Sequence, residues 1–161
     1  PLFFWLINLS TFFLGENTEM VNRLPSALAG LATVLVTFLF GERLFNLHAG
    51  FLSALILATC FFFPQISRWM MLDSLFCLFF ILTLYYLFKG VDAPDQRMKN
   101  FLISGIFMAL GTLMKGPIGY LTIPIFLIYA FIHKEIQKVW NINLLYAVLL
   151  SIGLVLSLIH I

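Results

Sequence analysis

The sequence predicts an all-α integral membrane fold, a polytopic helical bundle of about six transmembrane helices plus one juxtamembrane helix. Hydrophobic residues make up 62% of the 161 positions and charged residues only 10%, against roughly 25% charged in soluble domains, so a water-soluble fold of this size has no way to bury its apolar surface. The nine basic and seven acidic residues cut the chain into uncharged blocks of helix length. A formal net charge of +2 excludes a nucleic-acid binder resting on a broad basic face. Nineteen Phe, five Tyr and three Trp exclude disorder.

Block 1–15 is too short to span, and with Asn8 and Thr11 on one face it reads as a helix lying along the interface. Blocks 24–41, 44–67, 116–133 and 139–161 have spanning length. Pro25 fits the first turn of its helix, where a missing N–H is harmless, while Pro64 and Pro124 fall inside their blocks and are expected to kink them. Blocks 74–88 and 100–114 reach only about 22 Å as helices, short of a hydrocarbon core of about 30 Å. To span, the first must extend back to Trp69, bringing Asp73 one turn inside the helix. The second must extend forward to Lys115, where Gly116-Pro117 stops one helix and starts the next. Cys60 and Cys77 read as small buried hydrophobes, and His48, His133 and His160 are too scattered for a metal site.

If the spans alternate, one side carries Arg43, Lys89, Arg97, Lys99, Lys134 and Lys138, and the other Arg23, Arg68 and Lys115. The positive-inside rule puts the richer side in the cytoplasm. Glu16, Glu19, Arg23, Arg68, Asp73 and Lys115 then gather on the extracytoplasmic side.

Asp73 is the one acidic residue drawn into a membrane segment, which makes it a candidate for function; the competing reading is a helix N-cap. Arg68 lies five positions earlier, so pairing with Asp73 requires a break or turn between them. Lys115 at its helix end either snorkels to the headgroups or holds a phosphate as a point charge. Glu19 and Arg23 have the spacing of a local ion pair, with substrate contact as the other reading. There is no phosphate-binding glycine loop, zinc motif or nucleophile elbow.

The order Pro-Leu-Phe-Phe-Trp-Leu at the start, Gly15 with Glu19, Arg23-Leu24-Pro25-Ser26-Ala27-Leu28, Gly41-Glu42-Arg43-Leu44-Phe45 with Ala49-Gly50, Arg68 to Asp73, and Lys115-Gly116-Pro117 resembles bacterial GT-C type membrane glycosyltransferases. These are the lipid A aminoarabinose transferases and their kin in the protein mannosyltransferase superfamily, glycosyltransferase family 39. The resemblance implies a multi-pass protein of the bacterial inner (plasma) membrane. Such a protein transfers a sugar on its extracytoplasmic side from a polyprenyl-phosphate donor to a lipid (lipid A-like), glycan or protein acceptor, with membrane lipids around it and no nucleic acid partner. It further implies that residues 1–161 are a partial transmembrane domain, with 1–15 the juxtamembrane helix, 24–161 the transmembrane helices, and upstream and downstream parts, including the principal catalytic Asp, elsewhere; the piece alone is then inactive. By the same resemblance Asp73 matches a second conserved acidic position, Arg23 and Arg68 lie near the site, and Lys115-Gly116-Pro117 matches the family's Thr-Lys-Gly-Pro turn; Asp73 is thus the catalytic candidate, and Lys115, Arg68, Arg23 and Glu19 are the substrate-binding candidates. Met114 stands where the family has Thr. A divalent cation is allowed as cofactor, although no ligand cluster is visible. The alternative is a transporter or flippase domain with Asp73 and Lys115 in a substrate pathway, against which stand the absence of a repeat and the placement of charges at helix ends.

Overall fold

The computed structural model describes residues 2–15, 18–133 and 142–159. Among them all regular structure is helical: α1 (Leu2–Leu14), α2 (Glu19–Leu44), α3 (Leu47–Thr59), α4 (Phe62–Arg68), α5 (Leu72–Asp92), α6 (Arg97–Lys115), α7 (Thr122–Ile132) and α8 (Ile142–Ile159), with 3-10 segments at Pro94–Gln96 and Gly116–Leu121. The chain forms two compact units, Pro1–Ile81 and Leu82–Ile161, the division falling within α5. Expectations for Glu16, Lys134, Lys138 and His160 lie outside the described residues.

The expected count of about six spans is met in part. Glu19–Leu44, Leu72–Asp92 and Pro94–Ile132 are long and apolar enough to cross a membrane, and the bent pair α3 and α4 raises the count to four rather than six among the described residues. Pro94–Ile132 is itself no straight rod. As one helix, Phe101 and Phe126 would stand about 37 Å apart, yet their ring centroids are 6.4 Å apart. The chain doubles back at Gly116, whose φ of 75° is a conformation that glycine alone adopts without strain.

In the first unit, α2 begins earlier than expected, so Pro25 is its seventh residue and not in its first turn. Thr18 precedes the helix in extended conformation and Glu19 supplies a carboxylate to its first turn, which favours that earlier start. The face of α2 turned inward is Val21, Ser26, Ala29, Gly30 and Thr33, while Leu24, Leu28, Leu31, Leu35 and Leu39 point outward. Lipid is as apolar as leucine, so helices gain contact through small residues rather than by hiding large ones. Asn46 caps α3, its Oδ1 accepting from the Ala49 N–H at 2.8 Å. The expected kink in 44–67 is present as a 63° bend between α3 and α4. It falls at Cys60 and Phe61, and Pro64 has no N–H to bond back to the Cys60 carbonyl. Cys60 is half-buried and Cys77 exposed, which corrects their reading as buried.

In the second unit, α6 buries ten residues against α8 and the Gly116–Leu121 segment. A Cβ on Gly105 would lie 2.5 Å from the Ala147 carbonyl oxygen, so the two backbones touch. Phe88 packs edge-on to Phe126 and Tyr129 at 5.3 and 4.6 Å. Pro124 produces no kink, because α7 starts at Thr122 and the proline occupies its first turn.

Candidate functional site

Two contacts join the start of α2 to the α4–α5 turn. The Ser26 hydroxyl, fully buried, donates to the Met71 carbonyl at 3.1 Å across 45 residues. One turn further along α2, a Cβ on Gly30 would meet Ser67 Oγ at 2.4 Å, so α2 and α4 run antiparallel in van der Waals contact. These contacts fix where the charges stand. Arg68 follows Ser67, Asp73 comes two residues after Met71, and Arg23 precedes Ser26 by one turn. Four of the five candidate residues therefore share one end of the first unit.

Within that end, Arg23 Nη2 donates to Glu19 Oε1 as the spacing predicts. Both side chains are exposed, at 44% and 80%, so the pair is a surface one of small energetic value. Arg68 closes α4 and is exposed beside the exposed Trp69. The turn that an Arg68–Asp73 pairing requires exists: α4 ends at Arg68 and α5 starts at Leu72, with the Met71 N–H donating to the Trp69 carbonyl at 2.8 Å. Asp73 is half-buried and is the second residue of α5. It is therefore not the N-cap, but its carboxylate lies in the first turn, where the unpaired N–H groups favour negative charge.

Three hydroxyls escaped the sequence reading. Ser26 and Ser67 make the α2 contacts, and Ser74, fully buried next to Asp73, has an Oγ with no hydrogen-bond partner among the described residues. The signal available was the run Asn22, Ser26, Gly30 and Thr33, small or polar residues at helical spacing on one face. Also unforeseen is a groove of about 250 Å³ between α2, α3 and α4, with Ser67 and Arg68 at one end.

Lys115 belongs to the second unit. It ends α6, exposed, on a tightly held turn. The Gly116 N–H donates to the Thr112 carbonyl, and Gly119 packs so closely that a Cβ there would lie 2.6 Å from Thr112 Oγ1. Ser151 Oγ of α8 bonds the Tyr120 hydroxyl at 3.3 Å. The ammonium thus projects from a rigid support.

Apolar helices with outward leucines, inward small residues and charges restricted to helix ends and turns define a polytopic membrane protein. The chain belongs to the dolichyl-phosphate-mannose-protein mannosyltransferase family, whose model matches residues 1–161. It is similar to the undecaprenyl phosphate-alpha-4-amino-4-deoxy-L-arabinose arabinosyl transferase of Wigglesworthia glossinidia brevipalpis, at 29% identity over 147 residues, which cover 89% of this chain and 25% of the relative. The chain thus spans about a quarter of the length of that curated relative. No solved structure matches it. The cation that the family resemblance allows finds no ready site here, since no three His, Cys, Asp or Glu side chains come together among the described residues.

Proposed function

We propose that the protein is an integral glycosyltransferase of the bacterial inner membrane. It moves a sugar from a polyprenyl-phosphate donor to a lipid A-like, glycan or protein hydroxyl on the extracytoplasmic side. The observation that supports this reading is the joining of α2, which carries Arg23, to the α4–α5 turn, which carries Arg68 and leads into the half-buried Asp73, through Ser26 and Met71. In the reaction the acceptor oxygen bonds to the anomeric carbon, the bond from that carbon to the phosphate oxygen breaks, and the lipid phosphate leaves with the electron pair. Asp73 takes or orients the acceptor proton, and Lys115 or Arg68 stabilises the charge growing on the phosphate. Glu19 and Arg23 border the acceptor.

In the full-length protein, Asp73→Asn is expected to lower transfer from a polyprenyl-phosphate sugar by about 10²- to 10⁴-fold with normal folding. Unchanged transfer would remove Asp73 from the mechanism. Lys115→Ala is expected to weaken donor binding about tenfold, the loss of one charge-assisted contact, and normal donor affinity counts against the phosphate role.

A transporter or flippase is the second reading, favoured by the broken span at Cys60 and Phe61, since discontinuous helices recur in transporters. Donor flipping in proteoliposomes that is lost in Asp73→Asn, with no sugar transfer by the parent, would select it.

A further inference from the structure

The proposed chemistry leaves open which of Arg68 and Lys115 meets the donor, and the surroundings of Arg68 separate them. Leu31 and Val34 of α2, Ala58 of α3, and Phe63 and Pro64 of α4 line the groove, and among the described residues Arg68 is the charged one that lines it. The groove has a volume of about 250 Å³. The groove lies beside the α3–α4 bend, and the closely packed Gly30 and Ser67 are among the residues that line it. Because α2 and α4 are antiparallel, Val34 and Phe63 lie at the end away from Arg68. The groove therefore leads from a cation into an apolar slot.

Its mouth carries an arginine beside an exposed tryptophan, the pair that anchors helices at headgroup depth. No acidic group is bonded to Arg68 among the described residues. A phosphate here would be held by a planar donor able to bind two oxygens at once. Ala27, Leu31 and Ala58 on its walls are exposed, so the groove opens sideways, and by mass action it fills with the most abundant ligand of matching chemistry.

We infer that this groove holds one acyl chain of an anionic bilayer phospholipid with its phosphate on Arg68, leaving the donor phosphate to Lys115. The inference narrows the proposed mechanism without depending on it, because its readout is bound lipid rather than sugar transfer.

The test is native mass spectrometry of the full-length protein from micelles doped with dioleoylphosphatidylglycerol, dioleoylphosphatidylcholine or undecaprenyl phosphate. One tightly retained phosphatidylglycerol is expected, weakened about tenfold by Arg68→Ala, largely kept in Arg68→Lys, and lost in Ala58→Trp, which fills the slot without touching the charge. Undecaprenyl phosphate is expected not to displace it. Retention unchanged in Arg68→Ala, equal retention of phosphatidylcholine, or one-for-one displacement by undecaprenyl phosphate would each overturn the inference, the last by giving the groove to the donor. If Ala58→Trp does not fold, the two Arg68 variants decide alone.

Discussion

In the first unit 22% of the most apolar window of α2 is buried, whereas half of the corresponding window in Pro94–Ile132 of the second unit is. The difference extends to how contacts are made. The first unit joins its helices through small residues, two hydroxyls reaching carbonyls and a backbone contact at Gly50, where a Cβ would lie 2.6 Å from the Phe38 carbonyl oxygen, and leaves a groove open on its side. The second brings backbones into contact at Gly105 and Ala147 and fills its interior with Phe88, Phe101 and Phe126. Four candidate residues belong to the open unit and one to the packed unit. A loosely covered helix end has room for substrates to approach a carboxylate, while Lys115 benefits from a support that cannot yield.

If the second unit owes its rigidity to backbone contact, enlarging Gly105 should harm it more than a change on the open groove face of the first unit. The carbonyl that a new Cβ would meet belongs to the α8 backbone and cannot rotate away. Gly105→Leu is expected to cost about 3 kcal/mol or more, read as loss of folded protein after detergent extraction. Gly153→Leu on α8, where nothing lies within 4 Å, provides the matched control and should extract normally. Equal yields for both would mean that the contact between Gly105 and Ala147 does not hold the second unit together.

These contacts also mark what the sequence could and could not disclose. Blocks between charges fix where helices lie, so the membrane class, the break before Pro64 and the stop at Gly116 were legible. The span count was not, because charge spacing does not distinguish an α-helix from a 3-10 segment. Gly116–Leu121 takes up part of the expected 116–133 span and leaves α7 only 11 residues, about 16 Å. Pro25 misled for a related reason. Its ring forfeits one bond to the Val21 carbonyl, a loss that the acidic first turn and the packed inner face of α2 outweigh. At the site, Asp73 and Lys115 stood out as charges in apolar runs. Ser26, Ser67 and Ser74 did not, since a serine becomes informative only when its neighbour across 40 or more residues is known.

The link in the open unit should be weaker than the backbone contact in the packed one. Ser26→Ala removes the bond to the Met71 carbonyl and is expected to cost about 1 kcal/mol, seen as a lower unfolding midpoint. Because that bond ties α2 to the turn before Asp73, transfer should fall along with stability. Ser151→Ala, which loses the bond to Tyr120 in the packed unit, should lower stability without moving the turn at Lys115, since Gly119 still rests on Thr112. Activity lost equally in both variants would erase the distinction between a hinged and a braced end.

The smallest effect falls on Glu19. Its pair with Arg23 is one helical turn long, and both groups are largely in water, so Glu19→Gln is expected to change stability by only about 0.3 kcal/mol. That change should vanish at high salt, because exposed charges are screened. Arg97 offers the contrast in the packed unit: its Nε donates to the Gly90 carbonyl at 3.3 Å, a neutral and part-buried acceptor. Arg97→Ala should therefore cost more than Glu19→Gln and keep its cost as salt rises. A salt-insensitive loss in Glu19→Gln would mean instead that the carboxylate is held by something beyond Arg23, and would raise Glu19 from a helix-end charge to a contact within the site.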